Sequence, residues 1–436
     1  MRDAFPLKRG EWGLGLFLYA LLTLMVAADW VGKLGADSLF VKRWGVNYVP
    51  VMYIVTPIAM LAVSAMIFFF VDRVRRRTLL LWYVAGVTLL SIAIQAGVTY
   101  QGELENGWVV QPISYVFAHG VKETIYILFW VYAGNLYDAE QSKRLFPFFA
   151  GSVLVGKILG GAIGAGIAST VHAENFIGAQ AVGFMVCFAA LVLYRGLPEG
   201  QGSRVEHERP KGFGAIIRDS AEGYKTVSSD KMLRTFGVGV FFWYFLMQFA
   251  NFLYLLGLDQ SSGSSITGED YFSQLYAGVY TSSSLVALGI QSFLTTALLR
   301  RIGIAWVLFL LPLWYVATYG WAAATVLTDQ NGTLTLALLA GIALQLGERI
   351  WIPALHRPAS ELVYSQISSA IRPRARAFLS GGVNAFGNMG AAVALILGLR
   401  GLTGRFISVY IVNDATLAIL SLFQALVFHR WRVRSK

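Results

Sequence analysis

Apolar stretches of about 20 residues, almost free of charged side chains, recur along the whole sequence and constrain its fold more than any other feature. Each stretch is long enough to cross the hydrocarbon core of a bilayer, which is about 30 Å thick. Of the 436 residues, 56% are apolar and only 14% are charged, so a water-soluble fold could not bury the apolar surface. The sequence therefore predicts an all-α integral membrane protein with the lipid bilayer as its solvent.

One long polar segment divides the chain. Residues 196–232 carry mixed charge together with Gly and Pro, and they fall between the sixth and seventh predicted spans. This arrangement predicts two six-helix halves, residues 1–195 and 233–436, joined by a cytoplasmic linker. We place the twelve spans at residues 12–31, 48–71, 78–100, 112–137, 148–170, 176–195, 233–257, 273–298, 304–327, 334–352, 378–399 and 406–428.

The distribution of basic residues predicts the orientation. With both termini in the cytoplasm, 28 of the 35 Lys and Arg residues fall in inner segments. The outer segments hold five, which are Lys33, Lys42, Arg43, Arg400 and Arg405. This asymmetry is typical of multi-pass proteins of the cell membrane. It also accounts for the net charge of +11, so the charge gives no reason to expect nucleic acid as a partner.

Two lysines, Lys122 and Lys157, lie at the depth of the predicted membrane. An ionisable side chain in a spanning helix costs a few kcal/mol and normally faces a partner or a water-filled path. Neighbours in a helix point about 100° apart, so Lys122 and Glu123 are not expected to pair with each other. Asp29, near the outer end of the first span, is a candidate partner for one lysine. These residues are candidates for substrate contact, for coupling or for structural ion pairs.

Amide side chains inside the spans are further candidates for a substrate cavity, although such groups serve packing at least as often. Two of them lie one helical turn apart and could line the cavity or bond across helices. The amide candidates are Asn135, Gln248, Asn251, Asn384 and Asn388. Glycines at four-residue spacing predict close helix packing in the fifth span (Gly156, Gly160 and Gly164) and in the eleventh (Gly387 and Gly390).

The inner connection after the second span reads VDRVRRRTLL and contains Asp72, Arg73 and Arg76. It resembles the D-R-x-G-R-R signature of the major facilitator superfamily, with Arg75 where that signature has glycine. The corresponding place in the second half keeps Arg300 and Arg301 but has no acid. The resemblance implies two six-helix halves, with these five residues forming a conformational latch at the inner surface. An ordinary basic inner loop would also explain the arginines.

Two longer blocks carry a second resemblance. Residues 126–161 contain Phe129, Trp130, Lys143, Arg144, Pro147, Phe148 and Phe149. Residues 357–393 contain Pro358, Ala359, Glu361, Leu362 and Tyr364, followed by a basic run and a Gly-rich helix. These blocks resemble the bacterial and plastidic ATP/ADP translocase family. The resemblance implies a transporter, which could be an antiporter, and nucleotides are one class of cargo that it implies. The second half shows no cation at clear membrane depth, so ATP itself is not specified.

No Ser/His/Asp set or paired carboxylate constellation is found at membrane depth, so we expect no enzyme activity. The five histidines have no ligand spacing and Cys187 is the only cysteine, so we expect no metal site and no cofactor. We expect a secondary transporter that moves an anionic or amphipathic metabolite by alternating access. The alternatives are a lipid or drug exporter, favoured by the sparse cations of the predicted cavity and by the 14% aromatic content, and a non-transporting receptor or assembly factor. The oligomeric state is not predicted.

Overall fold

The computed structural model describes residues 11–71, 74–101, 107–134, 136–137, 139–194, 222–225, 227–262, 266–328, 334–365, 375–376 and 378–401. Nearly all of these residues are helical. The α-helices are α1 (Trp12–Trp44), α2 (Val49–Val71), α3 (Arg76–Tyr100), α4 (Val110–Ala133), α5 (Ala139–Thr170), α6 (Phe176–Leu193), α7 (Lys231–Ser262), α8 (Ile266–Gly289), α9 (Thr295–Arg301), α10 (Gly303–Thr328), α11 (Leu334–Leu346), α12 (Arg357–Ser365) and α13 (Asn384–Gly401). Three π-helical segments, Ile290–Leu294, Gly347–His356 and Phe378–Val383, continue the chain between α-helices.

Within the described ranges, nine helices are long and apolar enough to cross a membrane, and Gly381–Leu397 forms a shorter apolar helix. Large apolar side chains such as Leu89, Leu193 and Phe293 point outward, as lipid contact requires. The predicted all-α membrane fold is confirmed. The predicted twelfth span, residues 406–428, lies outside the described residues, so the count of twelve stays a prediction.

Helix α1 is much longer than its predicted span of residues 12–31. It continues to Trp44, and residues 25–41 are buried without interruption. Small residues permit this burial because Gly32 packs directly against Gln180 and Gly35 against Phe176, both on α6. Lys33, which the sequence analysis placed in an outer connection, therefore lies inside the helix. Asp29 lies near the middle of α1 rather than near its outer end, which corrects the predicted position.

The tenth span also extends past its predicted end at residue 352. The helix is continuous from α11 through the π-helical segment Gly347–His356 to α12. Pro353 lies inside the π-helical segment, where the regular backbone hydrogen bonding is interrupted. The hydroxyl of Thr295 donates a 2.7 Å hydrogen bond to the carbonyl oxygen of Ala354, which satisfies backbone at membrane depth.

The chain divides into two compact units. Unit 1 comprises residues 1–45, 58–209 and 264–285, and unit 2 comprises residues 46–57, 210–263 and 286–436. In unit 1, α1 packs against α4, α5 and α6, and α3 packs against α4 and α6. In unit 2, α7 packs against α11 and α13, and α10 packs against α11. The predicted boundaries at residues 195 and 233 stay a prediction.

Glycines make the central packing of each unit close. A Cβ atom added to Gly156 would lie 2.7 Å from the carbonyl oxygen of Thr23, and one added to Gly160 would lie 2.7 Å from that of Ala27. In unit 2, a Cβ atom at Gly387 would lie 3.0 Å from the carbonyl oxygen of Phe241. Any side chain at these positions would push the helices apart, so the predicted role of these glycines in close packing is confirmed.

Candidate functional site

Three ionisable residues of unit 1, Asp29, Lys33 and Asp37, follow one another at four-residue spacing on α1. This spacing places them along one side of the helix. Their relative exposures are 1%, 7% and 2%, so all three are buried in the central helix of the unit. Burial of ionisable groups in a spanning helix is energetically costly, so these three residues are candidates for a functional site.

Asp37 lies at the centre of a polar cluster contributed by three helices. Its carboxylate forms an ion pair with Lys33 on α1. The hydroxyl of Tyr276 on α8 donates to Oδ2 of Asp37 over 2.6 Å, and Nε2 of His119 on α4 lies 2.9 Å from Oδ1. We call Lys33, Asp37, His119 and Tyr276 the Asp37 cluster. Both carboxylate oxygens of Asp37 are therefore satisfied.

Aromatic rings surround the cations of this region. Nζ of Lys33 lies 5.8 Å from the ring centroids of Trp30, Tyr276 and Tyr280. Nζ of Lys157, on α5, lies 4.9 Å from the centroid of the same Trp30 ring. Because Trp30 follows Asp29 directly, the two lysines approach the middle of α1 around one indole ring. Such contacts stabilise a cation by about 0.5–2 kcal/mol.

Lys122 is arranged differently from the prediction. Its ammonium group lies 3.3 Å from Oε1 of Glu123, so the expectation that these neighbours do not pair was wrong. Both side chains are long, so their charged ends can meet although neighbouring positions on a helix point about 100° apart. Glu123 is exposed. Asp29 makes no ion pair with a lysine in the described chain, although it interacts electrostatically with Lys122, Lys33 and Lys157.

Unit 2 contains a chain of amide and hydroxyl groups that the sequence predicted only in part. Asn251 on α7 donates a 2.7 Å hydrogen bond to the hydroxyl of Tyr53. Nε2 of Gln345 on α11 lies 3.0 Å from Oδ1 of Asn251 and 3.1 Å from Oε2 of Glu348. We call Tyr53, Asn251, Gln345 and Glu348 the Gln345 chain. It leads to the π-helical segment that follows α11.

Arg349 is the next residue and is only 7% exposed. Its guanidinium group lies over the ring of Tyr254, 5.0 Å from the centroid. The candidate span around it runs from Leu338 to Tyr364, so Arg349 lies near the middle of that span. The expectation that the second half has no cation at membrane depth was therefore wrong. The apolar residues that follow Arg349 were the overlooked signal, because the predicted span ended soon after the Glu348–Arg349 pair.

The other amide candidates are placed as follows. Gln248 is half-buried on α7. Nδ2 of Asn388 donates a 2.8 Å hydrogen bond to Oδ1 of Asn384, so these two side chains bond to each other along α13. Asn135 lies outside the described residues.

The predicted latch is described only in part. Asp72 and Arg73 lie outside the described residues. Arg76 at the start of α3 and Arg300 and Arg301 at the end of α9 are exposed. The latch therefore stays a prediction.

A second polar network of unit 1 lies at the end of α1 and in the connection between α5 and α6. The guanidinium group of Arg43 pairs with Glu174 and with Glu269, the latter at 2.9 Å. Nδ1 of His172 lies 2.7 Å from Oδ2 of Asp270. This hydrogen bond to a carboxylate raises the pKa of His172 above its ordinary value. The network fastens α8 to two other segments of unit 1.

Within the part of the chain that the structure describes, no group of three or more His, Cys, Asp or Glu residues could hold a metal ion. Buried positive charge is present in each unit, at Lys33 and at Arg349, and unit 1 also buries the carboxyl groups of Asp29 and Asp37. The sequence signal that would have found the Asp37 cluster is the four-residue spacing of Asp29, Lys33 and Asp37. It was missed because the first span was ended at residue 31.

No protein-family model matches the sequence, and no curated protein sequence matches it. Solved structures do match the fold. A mutant of the nucleoside transporter NupG has a TM-score of 0.65 at 13% identity, covering 95% of this chain and 99% of that one. A D-xylose-proton symporter has a TM-score of 0.63 at 14% identity, covering 95% and 97%. A POT family transporter in complex with 5-aminolevulinic acid has a TM-score of 0.62 at 14% identity, covering 94% and 95%. Over nearly its whole length, the chain therefore has the major facilitator-like fold of these transporters.

Proposed function

We propose that this chain is a secondary transporter that moves a small anionic metabolite across the cell membrane by alternating access. The observation that carries the proposal is the presence of a buried cation near the middle of a spanning helix in unit 2, on a chain with a transporter fold. Arg349 is costly at this depth. Helix packing alone does not require a charged side chain at this position. A negative group on a cargo would interact favourably with it.

The cations of unit 1 support the same substrate class. Lys157 and Lys33 approach Trp30 from α5 and from α1. Together with Lys122, which pairs with Glu123, these lysines are the cations of unit 1 that we propose as contacts for an anionic cargo. Considered separately, unit 2 has the amide and hydroxyl groups of the Gln345 chain, which can form hydrogen bonds with a polar cargo. We propose both sets as substrate-binding candidates, together with Gln248, Asn384 and Asn388.

Nucleotides are the narrower proposal for the cargo. The two sequence blocks that resemble the ATP/ADP translocases favour them, and one structure with the same fold is that of a nucleoside transporter. Arg349 supplies the membrane-depth cation that the sequence analysis did not find in the second half. A lipid or drug exporter was favoured partly by the scarcity of such cations, so the buried arginine weakens that alternative.

Counterflow in proteoliposomes tests the proposal. Purified protein is reconstituted into vesicles loaded with an unlabelled anion, and entry of the same labelled anion is followed for ADP, AMP, citrate and glutamate. We expect at least one of them to enter faster than in protein-free vesicles. A charge-assisted hydrogen bond contributes about 1.5–3 kcal/mol, so Arg349→Gln should weaken apparent affinity by about 10- to 100-fold.

Arg357→Gln is the matched control, because Arg357 is exposed on the same continuous helix. It should leave apparent affinity near the wild-type value. Equal effects of the two substitutions would contradict the role of Arg349. Folded wild-type protein that moves none of the anions, but lowers the vesicle content of a fluorescent lipid or a hydrophobic cation, would favour an exporter. Folded protein that moves nothing would favour a receptor or assembly factor.

A further inference from the structure

Two buried polar groups of unit 2 have no hydrogen-bond partner among the residues that the structure describes. They are the hydroxyl of Tyr315 on α10 and Oε1 of Gln345 on α11. The relative exposures of the two residues are 1% and 0%. Most buried polar atoms in proteins are paired, and each exception needs a physical reason. A ligand that supplies the missing partners is one such reason.

The hydrogen bonds of Gln345 determine which end of its amide group is left. Nε2 lies 3.0 Å from Oδ1 of Asn251 and 3.1 Å from Oε2 of Glu348, so its two N–H groups can be directed at these two acceptors. Oε1 can only accept a hydrogen bond. A partner for Oε1 must therefore supply an O–H or N–H donor, and a carboxylate at Glu348 requires a donor as well.

Tyr315 lies beside the same turn of helix. A Cβ atom added to Gly347 would lie 3.1 Å from Cε1 of Tyr315, and Tyr315 interacts electrostatically with Glu348. The hydroxyl of Tyr319, one turn further along α10, donates a 2.9 Å hydrogen bond to the carbonyl oxygen of Leu246. Tyr315 therefore belongs to the same polar region as the Gln345 chain, and it differs from Tyr319 in having a hydroxyl group that still needs a partner.

The chemistry of these groups favours a ligand with adjacent hydroxyl groups. A hydroxyl group both donates and accepts, so it can donate to Gln345 or Glu348 and accept from Tyr315. An ammonium group can only donate, so it cannot accept from Tyr315. Asn251 and Glu348 are only half-buried, so the polar region is not sealed inside the unit.

We propose that Tyr315, Gln345 and Glu348 bind adjacent hydroxyl groups of the cargo, and that the cargo is an anionic polyol such as a sugar phosphate or a nucleotide. The inference rests on the proposed function, because these side chains meet a cargo only in a chain that transports one. It concerns the uncharged part of the cargo and places no requirement on the cations of either unit.

Matched pairs of anions test the proposal. The pairs are AMP with 2′,3′-dideoxy-AMP and glucose 6-phosphate with hexyl phosphate, and the members of each pair share the phosphate group but differ in their hydroxyl groups. Wild-type protein in proteoliposomes is assayed for counterflow of labelled AMP and glucose 6-phosphate, with both members of each pair as unlabelled competitors. We expect at least one labelled anion to enter. Its deoxygenated partner should compete at least about tenfold more weakly, because it leaves buried polar groups unpaired.

Tyr315→Phe removes one hydroxyl group and keeps the ring. It should reduce the preference for the hydroxylated anion by about 3- to 10-fold, the contribution of one hydrogen bond, and leave the affinity for the deoxygenated anion unchanged. Tyr319→Phe is the matched control, because it removes an equally buried hydroxyl that already has a partner. Without cargo, Tyr319→Phe should lower the melting temperature and Tyr315→Phe should not, whereas Tyr319→Phe should keep the preference.

Equal competition by both members of each pair in wild-type protein, or an undiminished preference in Tyr315→Phe, would overturn the hydroxyl proposal and leave the transporter proposal standing. Counterflow of citrate or glutamate without counterflow of AMP or glucose 6-phosphate would do the same. Counterflow of xylose or inosine, but of none of the anions, would overturn the anionic cargo and support hydroxyl recognition. Folded wild-type protein that moves none of these compounds would overturn both proposals. The wild-type comparison decides the outcome if Tyr315→Phe does not fold.

Discussion

Removal of one charge from the Asp37 cluster should destabilise unit 1 strongly. Lys33 and Asp37 are 7% and 2% exposed and form an ion pair. The loss of one partner leaves a buried charge that is poorly compensated, which costs about 3–5 kcal/mol. His119 and Tyr276 would still contact Asp37 in Lys33→Gln, so we expect the lower end of this range. At about 2–4 °C per kcal/mol for a unit of this size, the melting temperature should fall by roughly 6–12 °C.

The assay is thermal unfolding of purified protein in detergent for Lys33→Gln, Asp37→Asn and the double variant. The double variant removes both charges of the pair and leaves neither uncompensated, so its loss of stability should be smaller than the sum of the two single losses. Lys42→Gln is the control, because Lys42 is only half-buried near the end of the same helix, and it should change stability by less than about 1 kcal/mol. A single variant as stable as wild type, or strict additivity in the double variant, would refute the argument.

Three further outcomes are expected. In a cysteine-free background, a cysteine that replaces exposed Val171 should react with an impermeant thiol reagent in intact cells, whereas one that replaces exposed Arg301 should not. The reverse pattern would contradict the predicted orientation. Gly160→Ala should cost about 1–3 kcal/mol in thermal unfolding because of its close contact with α1, whereas Gly166→Ala, which has open space around it, should not. The pKa of His172 is raised by its hydrogen bond to Asp270. The interaction between protonated His172 and Asp270 therefore stabilises the fold fully below about pH 6.5, and this stabilisation is lost as the pH rises through the raised pKa. His172→Gln should therefore reduce the difference between melting temperatures at pH 6 and pH 8, and an unchanged difference would count against the pair.

The local pattern of the sequence was sufficient for the helices and for their closest contacts. Hydropathy located the spans because a helix in lipid satisfies its own backbone, so apolar length is the main requirement. Four-residue glycine spacing predicted that the fifth span packs closely against another helix, because small residues at this spacing lie on one helix face. The structure identifies that helix as α1. Neither inference depends on which side chains the neighbouring helix presents.

The candidate site depended on which side chains meet, and only the tertiary structure decided this. Hydropathy counts each charge as a cost, so the predicted first span ended before Lys33 and the tenth ended soon after Arg349. In the fold, Lys33 lies beside Asp37 and Arg349 lies over Tyr254, and these contacts offset the cost of burial. The same contacts separate Asp37, which three partners hold, from Asp29, whose Oδ1 atom none of the described residues contacts by a hydrogen bond. The sequence alone predicted that ionisable groups lie within the spanning helices, and packing between helices far apart in the sequence decided which of these groups have their polar atoms satisfied.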